Sequence, residues 1–111
     1  MALLAMIISR YIEFGNVSDY AAERREVLEE IKSGSLNGIM NAENLPGQRQ
    51  LVCKMLVAHL YKLSPGGLGQ LLNLMKLGKS TDEALDVAFA IEPKRLAASF
   101  GQSLGVPGLT P

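Results

Sequence analysis

The sequence predicts an all-α fold, a compact bundle of five or six short helices. Three observations predict it. Apolar residues recur at three- and four-residue spacing along most of the chain and nowhere alternate with polar ones for long, which is the pattern of helices with one buried face. Helix-starting and helix-stopping residues punctuate the chain at short intervals, as in Ser64-Pro65, Ser80 with Glu83, Pro93, and the glycines at 15, 34, 78 and 105. Hydrophobic residues make up 48% of the chain against 20% charged, which favours a packed core over disorder.

The first helix is expected over residues 2–13 and is nearly all apolar until Ser9. A helix so apolar is buried on more than one side. Gly15 and Asn16 break it, and Ser18 or Asp19 caps a second helix running to residue 32. Tyr20, Val27, Leu28 and Ile31 give that helix an apolar stripe. Glu23, Arg24, Arg25, Glu26, Glu29 and Glu30 fill its remainder as a solvated face, with i,i+4 pairs such as Arg25 and Glu29. Residues 33–47 form the one long irregular stretch. Gly34 suits a helix-ending position, Pro46-Gly47 a turn, and Leu36, Ile39, Met40 and Leu45 fold back over the core.

A central helix follows over residues 48–63, with Val52, Met55, Leu56, His59, Leu60 and Leu63 on one face. Ser64 caps the fourth helix and Pro65 opens it at its first position. Leu68, Leu71, Leu72 and Met75 form its stripe, and Gly78 stops it. The run Ser80-Thr81-Asp82-Glu83 is a capping box for the fifth helix, which buries Ala84, Leu85, Ala88 and Phe89. Pro93 opens the sixth, with Leu96, Phe100 and Leu104 inward, and Gly105 ends it. Residues 1–105 are therefore expected as a single domain and residues 106–111 as a flexible tail.

With 111 residues the chain is long enough for one modest core. Eleven basic residues balance eleven acidic ones, so no net field draws the domain to nucleic acid or an anionic membrane. The apolar start covers only about eight residues, short of the ~20 that span a bilayer and without the basic flank of a secretory signal. The Asn16-Val17-Ser18 sequon is read as chance for the same reason. The missing signal and the single cysteine favour a cytoplasmic location.

One cysteine and one histidine limit the chemistry sharply. Zinc sites need three or four ligands, usually His and Cys. Cys53 and His59 sit about 120° apart around one helix and cannot share an ion without distant help. No metal site, cofactor or catalytic residue is expected. Cys53, in Leu51-Val52-Cys53-Lys54, is expected as a buried thiol, since the next residue in a helix does not face it. His59 is a polar candidate, expected at the edge of the core and bonded to a backbone carbonyl. Asp82, Glu83 and Asp86 complement a helix dipole, and the Gly-rich run 65–69 lacks phosphate-loop spacing.

Residues 81–104 also fit a helix-turn-helix, an alternative in which the sixth helix offers Lys94, Arg95, Ser99 and Gln102 to a DNA groove. Two basic residues on a neutral domain are a thin footprint for that role, so nucleic acid is the less favoured partner.

The stretches "ERREVLEEIKSGSL", "LVAHLYKLSPGGLGQLLNLMKLGKSTDEALDVAF" and "IEPKRLAASFGQSL" carry a resemblance over residues 20–104, about three quarters of the chain. In this order of helix, glycine corner, leucine-rich helix, capped helix and last helix, the chain resembles the C-terminal helical portion of gluzincin-type metallopeptidases of the peptidase MA-like group. The resemblance implies that layout and no catalytic residue. The zinc-binding H-E-x-x-H of those enzymes has no counterpart here, and Glu13, Phe14, Gly15 and Tyr20 only loosely echo the region of their third ligand. A fragment of such an enzyme is a further alternative.

The leading expectation is a non-catalytic helical interaction domain that packs its apolar surfaces against a protein partner or a second copy. The expected surface is the first helix, at Ala2, Leu3, Leu4, Met6, Ile7 and Ile8, which is more apolar than one side of a small bundle needs.

Overall fold

Helix-breaking residues divide the chain where the sequence places them. The structure, a computed structural model, describes residues 3–15, 20–36 and 38–111. Among them are six α-helices: α1 (Leu3–Phe14), α2 (Tyr20–Ile31), α3 (Gly47–Leu63), α4 (Pro65–Lys76), α5 (Thr81–Phe89) and α6 (Pro93–Ser103). One 3₁₀ turn, Ile39–Asn41, lies in the connection between α2 and α3. No strand forms among the described residues, and Ser35 and Thr110 make one isolated parallel bridge. The fold is an all-α bundle. Ala2, the Ser18 and Asp19 caps and the 16–18 sequon lie outside the described residues.

Local chemistry accounts for the boundaries. The Ser64 hydroxyl accepts from Gly67 N–H at 3.1 Å and Pro65 opens α4; the Ser80 hydroxyl accepts from Glu83 N–H at 3.2 Å at the start of α5. Each bond satisfies a donor that the first helical turn leaves orphaned. Gly78 (φ 89°) and Gly105 (φ 78°) take the left-handed conformation that ends α4 and α6. Beyond each, a wrapping bond returns to the helix, from Lys79 N–H to the Leu74 carbonyl and from Val106 N–H to that of Gly101. Both are Schellman closures.

Helix α3 is the hub. It packs against α1, α2 and α4, while α4 also packs against α1 and α5. Cys53 and Val57 are fully buried beside Val52, Leu56 and Leu60, so the inward face of α3 is wider than the expected stripe; Leu63, expected inward, is 47% exposed. A helix with three neighbours has little outer surface left for a polar side. On α2, Val27 and Ile31 are buried, but the solvated face differs in detail from the expectation. Glu29 pairs with Lys32 at 2.8 Å rather than with Arg25. Glu23 is half-buried, its Oε2 shielded with no hydrogen-bond partner among the described residues.

The connection from α2 to α3 folds over the core through Leu36, Ile39 and Met40, all buried. Polar anchors hold it. Arg49 Nη2 donates to the Leu36 carbonyl at 2.7 Å, and the buried Thr81 hydroxyl donates to that of Met40 at 3.3 Å.

Residues 106–111, expected as a flexible tail, are docked. Leu36 N–H donates to the Thr110 carbonyl at 2.8 Å and Thr110 N–H to that of Gly34 at 2.9 Å, while Leu109 is 2% exposed. The reason is Leu109. Seated against Gly101 with its neighbours bonded to the 34–38 segment, it belongs to the core cluster. The radius of gyration, 12.7 Å, matches the ~13 Å of a single packed body of this length.

Candidate functional site

The one histidine is the residue most able to do chemistry, and the fold sets it between two helices. His59, half-buried on α3, has Nε2 2.9 Å from the Ser99 hydroxyl on α6. Its ring lies 5.8 Å from that of Phe100, tilted by 56°. The expected backbone-carbonyl partner is therefore replaced by a side chain forty residues on. Sequence spacing could not reveal this pair, because it depends on how α6 lies across α3. Burial pushes the His59 imidazole below its ordinary range, and the charge of Lys62 one turn away pushes it further.

A cleft of about 400 Å³ opens beside this pair, where α2, α3 and α6 meet. Met55, Ala58 and Leu63 line it along α3, Phe100 and Leu104 line it from α6 and its end, and Arg24 and Lys62 stand at its rim. Neither cation is ion-paired with a described carboxylate.

A serine at hydrogen-bond distance from a histidine supplies two of the three members of a nucleophilic triad. The other parts are absent from the described residues. No carboxylate is hydrogen-bonded to His59 to orient it. Ser99 lies inside α6, where backbone N–H groups are spent on the helix and cannot form an oxyanion hole. Among the described residues the pair joins α3 to α6 and offers a polar wall. Nor do three of the described His, Cys, Asp or Glu side chains converge as metal ligands. Cys53 is fully buried, and burial pushes its thiol up to about 12, far from a reactive thiolate.

The remaining sequence-derived candidates separate. Leu3, Leu4, Ile7 and Ile8, expected as a docking surface, are buried in the core with Ala5, and among the described members of the expected surface only Met6 (40%) is exposed. The physical reason is that α1 packs against both α3 and α4 and against the 3₁₀ turn, so its N-terminal half is covered nearly all round. On α6, Lys94, Arg95 and Gln102 are exposed, whereas Ser99 is turned to His59. Helix α5 packs on α4.

Apolar side chains are instead exposed at the other end of α1. Ile12 is 51% exposed and Phe14 67%, and Tyr61 on α3 is 44% exposed. Ile12 and Tyr61 flank a second cleft, about 500 Å³, whose lining carries no charged side chain. Tyr11 and Tyr61 form one wall, ring centroids 5.4 Å apart, and Gly66 and Gly69 of α4 form the floor. A Cβ at either glycine would meet nothing within 4 Å, so the floor is open. Ile12 and Phe14, two apolar residues at the helix end that the buried stripe does not use, are the one hint of this surface in the sequence.

No helix among the described residues is long and apolar enough to cross a membrane. No family model matches this chain, and no curated protein or solved structure matches it significantly.

Proposed function

We propose that this chain is a non-catalytic helical interaction domain that works by docking an apolar partner surface at the C-terminal end of α1. One observation carries the reading: Ile12 and Tyr61 stand half out of solvent beside an uncharged cleft walled by paired tyrosines, with Phe14 exposed two residues on. Aromatic and branched side chains left exposed together around a concave apolar surface are the composition of interface cores. Tyrosine suits the role, offering a large rigid face and a hydroxyl for a partner's polar groups. The likeness to the helical tail of gluzincin-type metallopeptidases belongs to this proposal as a layout of α2 to α6, with no zinc ligand attached to it.

The occupant to test first is a second copy of this chain, the simplest closed assembly. Light scattering across a concentration series is expected to show a mass rising above 12.0 kDa for the wild type. The double variant Ile12→Asp, Phe14→Asp is expected to stay at the monomer mass with unchanged helicity. A wild type that stays strictly monomeric at the highest concentration, and whose double variant is no more soluble than it, removes the reading.

A further inference from the structure

The cleft beside His59 lies apart from the tyrosine cleft, and its chemistry differs. Its rim carries two cations from different helices, Arg24 and Lys62, and its lining carries no carboxylate. Its floor is apolar, with Ala58, Phe100 and Leu104 each nine-tenths or more buried. Its wall is a histidine with one ring nitrogen engaged by Ser99 and the other without a described partner. We propose that this cleft binds a small amphipathic anion, with a carboxylate head between Arg24 and Lys62 and an alkyl body lying along Met55, Ala58 and Leu63 above Phe100.

Charge selects the head. Two unpaired cations with no acidic group among the lining side chains repel a cationic ligand, and a neutral apolar one covers them without compensation. A carboxylate takes charge-assisted bonds from a guanidinium and an ammonium together. The field is felt inside the cleft as well, since Lys62 adds to the depression of the His59 imidazole. Size limits the body. A volume of about 400 Å³ is at the lower end of small-molecule sites and too small to seat a partner helix.

Nuclear magnetic resonance titration of the full chain tests this, reading the His59 ring signals and the methyl signals of Met55, Ala58 and Leu63. Octanoate is expected to shift them saturably, with affinity in the millimolar range or tighter for a ligand of ten heavy atoms. Octyltrimethylammonium and acetate, each holding one half of the chemistry, are expected to bind at least tenfold more weakly. The double variant Arg24→Gln, Lys62→Gln changes two exposed side chains and is expected to fold as the wild type does. It is expected to lose roughly tenfold in octanoate affinity, the loss that follows from about 1.4 kcal/mol. Equal binding of octanoate and octanol, or unchanged affinity in the double variant, overturns the anion assignment. Octanoate shifts that never saturate, or that spread evenly over the surface, overturn the site. None of these outcomes depends on the tyrosine cleft or on self-association.

Discussion

Ala90 takes φ 52° at the end of α5, the one described non-glycine residue with a left-handed backbone. Its N–H donates to the Asp86 carbonyl at 2.9 Å, so the conformation closes the helix, but a Cβ makes that region unfavourable by roughly 1–2 kcal/mol. Ala90 is exposed and its side chain contributes no packing. Ala90→Gly is therefore expected to raise stability by about 0.5–1 kcal/mol, the relief being partly offset by the entropy of glycine in the unfolded chain. Urea denaturation reads it directly; a loss of stability counts against strain at this corner. His59 offers a second residue-scale test. Burial, with Lys62 in support, makes its protonation harder in the folded chain than in the unfolded one. The stability this confers is complete above the unfolded histidine's value, about 6.5, and is lost as pH falls from there through the lower folded value. Melting temperature is expected to drop between pH 7.5 and 5.5 in the wild type and to drop less in His59→Gln. Parallel curves for the two proteins contradict the assignment.

Elements whose ends are written in local chemistry are legible in the sequence alone. Ser64-Pro65, Ser80 with Glu83, Gly78 and Gly105 act within five residues of themselves, and the helices they delimit fall where the pattern puts them. The tail is not legible in that way, because its order comes from contacts far along the chain. Leu109 rests against Gly101, and residues 110 and 111 bond to the segment at 34–38. Gly101 sits in mid-helix, where glycine costs stability unless something needs the space. Here the tail needs it. A Cβ added at Gly101 would lie 2.7 Å from Leu109 Cβ and closer still to the Val106 carbonyl oxygen. Gly101→Ala is therefore expected to lose about 1–3 kcal/mol despite the better helix propensity of alanine. Faster amide exchange at Leu36 and Thr110, with α4 and α5 unaffected, identifies displacement of the tail as the cause. A stabilised Gly101→Ala shows that the tail does not constrain this position.

At the scale of the whole molecule, helix periodicity is enough for the fold class, because six amphipathic segments in 111 residues can bury their stripes only on one another. It is not enough for the surfaces. Leu3 to Ile8 read as spare apolar surface, since periodicity counts the faces of one helix and not its neighbours; α1 has three. The His59 cleft is half visible in the sequence, as a lone histidine, while its partner Ser99 and its rim residue Arg24 come from segments that only the tertiary arrangement brings near. The arrangement around α3 also determines how the molecule comes apart. Cys53 and Leu56 are fully buried on the helix that packs against α1, α2 and α4. A reagent reaches the Cys53 thiol only when that hub opens, and opening the hub takes from α2 its main packing partner and leaves α1 with only α4 and the 3₁₀ turn. Thiol labelling in the native state is thus expected to track global unfolding and not local fraying. Leu56→Ala removes buried volume at the hub and costs about 2–5 kcal/mol, which raises the open population, and with it the labelling rate, roughly 30- to several-thousand-fold. Leu109→Ala removes a buried side chain of the same size from the periphery. Its tail can detach while α3 stays covered, so labelling is expected to rise by less than the loss of tail protection measured by amide exchange. Equal acceleration by both substitutions would mean that the tail and the hub open as one unit.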